Sequence, residues 1–157
     1  MRRPERRQLA SPPALFSLPV RVYYQDTDAG GVVYHGTYLD YFERARSEWL
    51  RRLGFDVRRL AEREGTLFIV RELRAAYARP ALLDDLVSVT VAVEHLGRAQ
   101  FTLGQQVLRG DEILVQASVN LACVTSVGFK PVRVPDGLRE TLEAGLGGYA
   151  VPNEERP

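Results

Sequence analysis

At 157 residues the chain has the length of one domain with its own core. Its apolar and charged fractions, 45% and 26%, are ordinary for a globular protein. A net charge of +1 removes any global case for nucleic acid or an anionic membrane surface as partner.

Residues 1–18 read as a disordered tail, with Arg2, Arg3, Arg6 and Arg7 among Pro4, Pro12 and Pro13. The arginines suggest a secretory signal, but the apolar h-region is missing, because Leu9-Ala10 is interrupted at once by Ser-Pro-Pro. No window approaches the roughly 18 apolar residues of a membrane span, so no integral membrane segment is expected. Cys123 is the single cysteine, which leaves no internal disulfide and fits a cytoplasmic location.

Val20 to Gln25 reads as a strand, with Val20, Val22 and Tyr24 on one face. The turn Asp26-Thr27-Asp28-Ala29-Gly30-Gly31 follows, then a short extended Val32-Val33-Tyr34. From Thr37 to Leu53 the period becomes helical: Tyr38, Phe42, Ala45, Trp49 and Leu53 form one apolar stripe. Asp40 with Arg44, and Glu48 with Arg52, are spaced as i,i+4 ion pairs. Gly54 is placed to end this helix, with Phe55 packing back over its last turn. Asp56 caps a second short helix that ends at Gly65.

The rest is β-rich. Thr66 to Val70 and Glu72 to Tyr77 form two strands or one bent strand, stopped by Arg79-Pro80. Val87, Val89, Val91, Val93 and His95 alternate, as do Phe101, Leu103, Gln105 and Val107. Arg109-Gly110-Asp111 reads as a hairpin turn into the alternating run from Ile113 to Cys123. After Lys130-Pro131 and Pro135 a short helix is expected at Leu138 to Leu142, and a polar tail from 146 to 157. Successive alternating strands with short turns make an antiparallel meander with one apolar face. The one long amphipathic helix is the available cover for that face, so the predicted domain, residues 19–145, is an α+β curved antiparallel sheet wrapped around one helix.

Chemistry concentrates at the turn between the first strand and the long helix. Asp26 and Asp28 have an ordinary reading as turn formers that bond their own backbone. They also stand near the N-terminus of a helix, whose unpaired N–H groups favour anions and polarised carbonyl oxygens. A carboxylate beside such donors is a minimum for acyl transfer or hydrolysis. A calcium loop fails, because Gly30 and Thr37 occupy positions that need oxygen ligands or a bidentate Glu. His35 stands just before the helix and has a packing or capping alternative, while the parity of His95 makes it a core-facing structural residue. Two distant histidines and one cysteine build no zinc site. Neither a Gly-x-Ser-x-Gly elbow, a phosphate-binding loop nor a dinucleotide fingerprint is present. Tyr24, Tyr34, Tyr38 and Tyr41 surround the turn as core or as the lining of an acyl pocket, and the Gly30-Gly31 pair allows a ligand close to the backbone.

The run from Val22 to His35, continuing into Tyr38-Leu39 and Phe42-Glu43-Arg44-Ala45-Arg46, closely resembles the hotdog-fold acyl-CoA thioesterases. The nearest branch is the Tol–Pal-associated one, related to 4-hydroxybenzoyl-CoA thioesterase, and the likeness covers about residues 19–143. The resemblance implies a hotdog fold, no cofactor, acyl-CoA as substrate, and a homodimer or homotetramer with the site at the dimer interface. It makes Asp28 the catalytic carboxylate, as nucleophile or general base, and the His35 backbone N–H the group that polarises the thioester carbonyl. The His35 side chain and Tyr24 match residues implicated in catalysis in the Tol–Pal branch; the 4-hydroxybenzoyl branch lacks that histidine. Arg98 and Lys130 fall where relatives meet CoA phosphates. Gly31, Val33, Tyr34, Arg98 and Lys130 are therefore the expected substrate-binding positions, with an acyl carrier protein as a further partner class. Two other readings remain open: a hydratase or dehydratase of acyl thioesters on the same fold, and a non-catalytic module binding acyl-CoA or an acyl carrier.

Overall fold

A computed structural model describes residues 14–146. The expected tail through residue 13 and the C-terminal residues 147–157 lie outside the described residues. Strand β1 (Phe16–Arg21) is followed by one 3-10 turn at Tyr24–Asp26 and by helix α1 (Thr37–Arg52). A short α2 (Val57–Arg59) continues as a wider helical turn at Leu60–Glu64. Strands β2 (Thr66–Tyr77), β3 (Leu86–Leu96), β4 (Gln100–Arg109) and β5 (Glu112–Thr125) precede α3 (Asp136–Leu146). The sheet order is β1-β3-β4-β5-β2, every pair antiparallel, so β1 and β2 are its edges.

The apolar stripe of α1 becomes the core as its spacing requires. Tyr38, Phe42, Ala45 and Trp49 are buried, joined by Tyr41 and Leu50, against Val87, Val89 and Val91 of β3 and Phe101, Leu103 and Val107 of β4. The helix ends at Gly54, whose φ is 84°. Gly54 N–H donates to Arg51 O at 3.0 Å and Phe55 N–H to Leu50 O at 2.9 Å, the paired bonds of a Schellman ending. At about 1.5 Å per residue α1 is roughly 24 Å long, enough to span the sheet beneath it. Among the described residues no helix is long and apolar enough to cross a membrane.

Several local expectations are corrected. The first strand starts at Phe16 rather than Val20, so residues 16–18 belong to the sheet and not to a tail. Pro19 is tolerated because β1 is an edge strand. The strand also stops early: Asp26 Oδ2 accepts the Tyr23 N–H at 2.8 Å and draws residues 24–26 into a turn. Tyr24 therefore leaves the face shared by buried Val20 and Val22 and is 83% exposed. His95 is exposed as well, because the β3–β4 register slips between Val93 and His95. One extra residue there inverts the side-chain parity. β2 is a single strand with a bulge between Val70 and Glu72. The i,i+4 pairs on α1 do not form: Glu48 pairs with Arg51, Arg44 lies over the Tyr41 ring and Arg52 over the Phe16 ring. Both arginines gain an aromatic face instead of a solvated acid. Asp56 stands at the start of α2 without a side-chain capping bond. The final helix is longer than expected, running from Asp136 to Leu146.

Candidate active site

The motif between β1 and α1 folds as a miniature hairpin. Gly31 N–H donates to Asp28 O at 3.0 Å, Asp28 N–H donates to Val32 O at 2.9 Å, and Thr27 bridges Val33. This is a three-residue loop with its last residue in the left-handed region, and Gly31 fills it with φ 75°. Tyr34 N–H donates to Asp26 O at 2.9 Å, and Val33 N–H to Ala81 O at 3.0 Å, which fixes the strand entering the helix. Tyr77 then reaches across from β2, its hydroxyl donating to His35 O at 2.9 Å.

The two acids of the motif have opposite environments. Asp26 is buried, with one oxygen committed to the Tyr23 N–H. Close by, the hydroxyl of buried Tyr41 finds no partner of regular hydrogen-bond geometry. Burial first, and then the Asp26 carboxylate, push the Tyr41 phenol well above its usual pKa. Asp28 is exposed, and its Oδ1 accepts the Gly30 N–H at 2.8 Å in a local side-chain turn. Asp28 thus has one carboxylate oxygen tied to the loop and a second with no hydrogen-bond partner among the described residues.

Beside this turn an open groove of about 260 Å³ is lined by Val33, His35, Tyr38, Tyr77, Ala78, Arg79 and Pro80. The His35 ring leans on Tyr34 at 4.3 Å between centroids. Tyr38 meets Tyr77 edge-on at 5.6 Å and accepts the Ala81 N–H at 2.9 Å. Burial raises the pKa of Tyr38, and the Ala81 N–H partly opposes this. Among the described residues neither His35 nor Gly36 donates its backbone N–H to a protein acceptor, so two amides remain at the entry to α1.

The structure therefore brings Val33 and His35 into one groove, while Gly31 and Tyr34 are exposed and outside its lining. It does not bring Tyr24 or Asp28 into the lining of that groove. Arg98 and Lys130 lie at the other end of the sheet. Arg98 follows β3, where its carbonyl accepts the Val134 N–H, and Lys130 follows β5, bonded to Thr125. The turn, by contrast, is tied to Tyr77 and Ala81, before β3 begins. Ten residues of β4 separate the two ends, about 30 Å at 3.3 Å per residue. Tyr77 was not singled out from the sequence; its only mark there is an aromatic residue closing a strand ahead of Arg79-Pro80.

A curved five-stranded antiparallel sheet around one long helix, with a glycine-bearing acidic turn feeding that helix, is the hotdog architecture expected of a thioesterase. Residues 30–116 match the thioesterase superfamily. The chain is 47% identical over 120 residues to the acyl-CoA thioesterase YbgC of Haemophilus influenzae, covering 76% of this chain and 88% of that one. It is 39% identical over 125 residues to the acyl-CoA thioester hydrolase YbgC of Escherichia coli O6:H1, covering 79% and 92%. The crystal structure of a probable thioesterase from Bartonella henselae superposes with a TM-score of 0.72 at 41% identity, over 76% of this chain and 98% of that one. The chain belongs to the thioesterase superfamily, and its relatives include the YbgC thioesterases.

Proposed function

We propose that the chain hydrolyses acyl-CoA thioesters, with Asp28 as the reacting carboxylate and the His35 N–H as oxyanion donor. The observation that carries this is the pairing of one exposed carboxylate, Asp28, with two unengaged amides at the start of α1. Asp26 cannot serve instead, because it is buried and bonded to Tyr23. In the reaction the Asp28 carboxylate attacks the acyl carbon, or takes a proton from the water that does. The carbonyl oxygen gains negative charge and is held by the N–H of His35, and the bond to sulfur breaks to release CoA. Where the carboxylate itself attacked, water then cleaves the acyl anhydride to free the acid and restore Asp28. His35 lines the groove, with the Tyr34 ring against it, and in this reading the two would face the acyl group and the departing sulfur. The metal-free chemistry expected from the sequence is compatible with this arrangement, since thioesters carry a good leaving group.

The site of one chain lacks a far wall, and a second copy would supply it. β2 is an open edge, and α1 packs chiefly on β1, β3 and β4. The inward face of β2 is thus left partly uncovered: Val70 is 47% exposed and Tyr77 49%. Two β2 strands pairing antiparallel about their middle would close that edge and bring the Tyr77 end of one copy beside the Thr66 end of the other. The proposal therefore includes assembly as a dimer or tetramer of this kind, together with a cytoplasmic location and acyl carrier protein thioesters as a further substrate class.

The direct test is release of thiol from a panel of acyl-CoAs by the wild-type chain and by Asp28→Asn. Loss of roughly 10²–10⁴ in kcat with unchanged circular dichroism supports the role. Near-wild-type turnover removes Asp28 from it. Asp26→Asn should keep most of the activity.

A further inference from the structure

The backbone entering α1 makes a tight turn, Tyr34-His35-Gly36-Thr37, closed by the Thr37 N–H donating to Tyr34 O at 2.9 Å. Such a turn has two forms that differ by a flip of its central peptide, here His35–Gly36. The third residue keeps a negative φ in type I and needs a positive one in type II, where glycine is favoured. Gly36 has φ −72° and ψ −25°, on the type I side, although a glycine reaches the other form at little steric cost. The two forms have opposite chemistry. In type I both central residues are near-helical, so the N–H groups of His35 and Gly36 point the same way out of the helix mouth. A flip reverses the planar peptide, which withdraws the Gly36 N–H and puts the His35 carbonyl oxygen in its place. An oxygen there repels the anion that the amides would hold.

One side chain favours the first form. The Tyr77 hydroxyl donates to His35 O at 2.9 Å, the oxygen of the peptide that would flip. Among the described residues no backbone N–H donates to that oxygen, so the hydroxyl from β2 holds it alone. The Tyr77 ring is itself set edge-on against Tyr38 at 5.6 Å. The Tyr38 hydroxyl accepts the Ala81 N–H at 2.9 Å, and Ala81 O accepts the Val33 N–H at 3.0 Å. Tyr77 therefore bears on a partner that is buried in the first turn of α1 and tied to the loop after β2.

We propose that Tyr77 is a positioning residue: its hydroxyl holds the His35–Gly36 peptide unflipped, so that the Gly36 N–H joins that of His35 as a second oxyanion donor. This rests on the thioesterase reading of the turn. The latch matters here because residue 36 is a glycine, which leaves the flipped form within easy reach. Charge on the carbonyl oxygen develops only as the acyl carbon is attacked, so loss of the latch falls on kcat rather than on KM.

The test is thiol release from acyl-CoA by the wild type, Tyr77→Phe, Gly36→Ala and the double variant. Tyr77→Phe keeps the ring in the groove wall and removes only the hydroxyl, so kcat should fall about tenfold with KM unchanged. In the Gly36→Ala background the same change should lower kcat by less than about threefold, because alanine resists the positive φ of the flipped form. A methyl at Gly36 would meet Tyr34 Cε1 at 2.8 Å and push that half-exposed ring aside, so the comparison is between the two chains that both carry it. A second readout needs no activity: in amide spectra of chains made with isotope-labelled glycine, Tyr77→Phe should shift or broaden the assigned Gly36 signal. An unchanged kcat, a rise in KM alone, an equal loss in both backgrounds or an undisturbed Gly36 amide each overturns the latch and leaves the thioesterase reading standing. A wild-type chain that releases no thiol from any acyl-CoA overturns that reading, and the oxyanion role of the latch with it.

Discussion

Arg46 carries its guanidinium into the core from the middle of α1, where no acid comes within ion-pair range among the described residues. Its Nη1 donates to Gln105 Oε1 at 3.0 Å, and Gln105 Nε2 donates onward to Phe42 O at 3.1 Å and Thr90 O at 3.3 Å. Burial lowers the Arg46 pKa, partly countered by the charge of Glu43, yet a guanidinium remains charged at neutral pH. Gln105 was readable as inward-facing from the alternation of its strand, with Phe101, Leu103 and Val107. Nothing in the helical pattern marked Arg46, which lies one turn beyond Phe42 at the edge of the apolar stripe. Gln105→Leu should cost about 2–3 kcal/mol, because it strips the acceptor from a buried charge. The double variant Gln105→Leu/Arg46→Met should recover at least half of that loss, since the charge leaves with its partner. Urea denaturation of the two single variants and the double variant reads this directly; a neutral Gln105→Leu would contradict it.

Elements are held together at their ends by fewer, more polar contacts. Arg109, closing β4, donates to Asp85 Oδ2 ahead of β3 at 2.8 Å and to Glu112 Oε2 at the start of β5 at 3.2 Å. Burial pushes the Asp85 carboxyl up, but the Leu82 N–H and the Arg109 guanidinium together outweigh it and hold the pKa below the ordinary value of 3.8. A carboxyl depressed in the folded state stabilises above its unfolded pKa, and that contribution fades as pH falls through the folded value. Asp85→Asn should therefore melt below the wild type near neutral pH, with the gap closing as pH drops below about 4. Thermal melts across that range check it, and a gap that persists or widens in acid would rule it out. The bulges belong to this scale too. Strict alternation put His95 inside, and a single-residue slip at Glu94 put it outside. Such a slip arises from how two curved strands fit each other, which neither strand's own pattern records.

For the whole molecule the open question is the β2 edge. A twelve-residue strand with an unpaired side and partly exposed Val70 and Tyr77 is an assembly surface unless something blunts it. Val70→Lys should give a folded chain that sediments as a monomer and loses most thioesterase activity, because the proposed second copy would no longer wall the Asp28 site. Sedimentation analysis with circular dichroism and thiol release tests all three parts. A wild-type chain that is fully active as a monomer would sink both the pairing and the composite site.

By itself the sequence determined the class of the fold and marked the turn to which the proposed chemistry is assigned. Period-two alternation defined the strands, the stripe from Tyr38 to Trp49 defined the central helix, and Asp26 to His35 marked the turn between them. Those signals are local, set by side-chain direction along a single element. Tertiary structure alone decided that Asp26 is sealed inside while Asp28 faces water, that Tyr24 turns away from the core, and that Tyr77 locks the helix entry. It also decided that Arg98 and Lys130 stand a sheet's length from Asp28. Each of these depends on which strand ends meet and where the register slips, and pairing between distant segments leaves no trace in the spacing of neighbours.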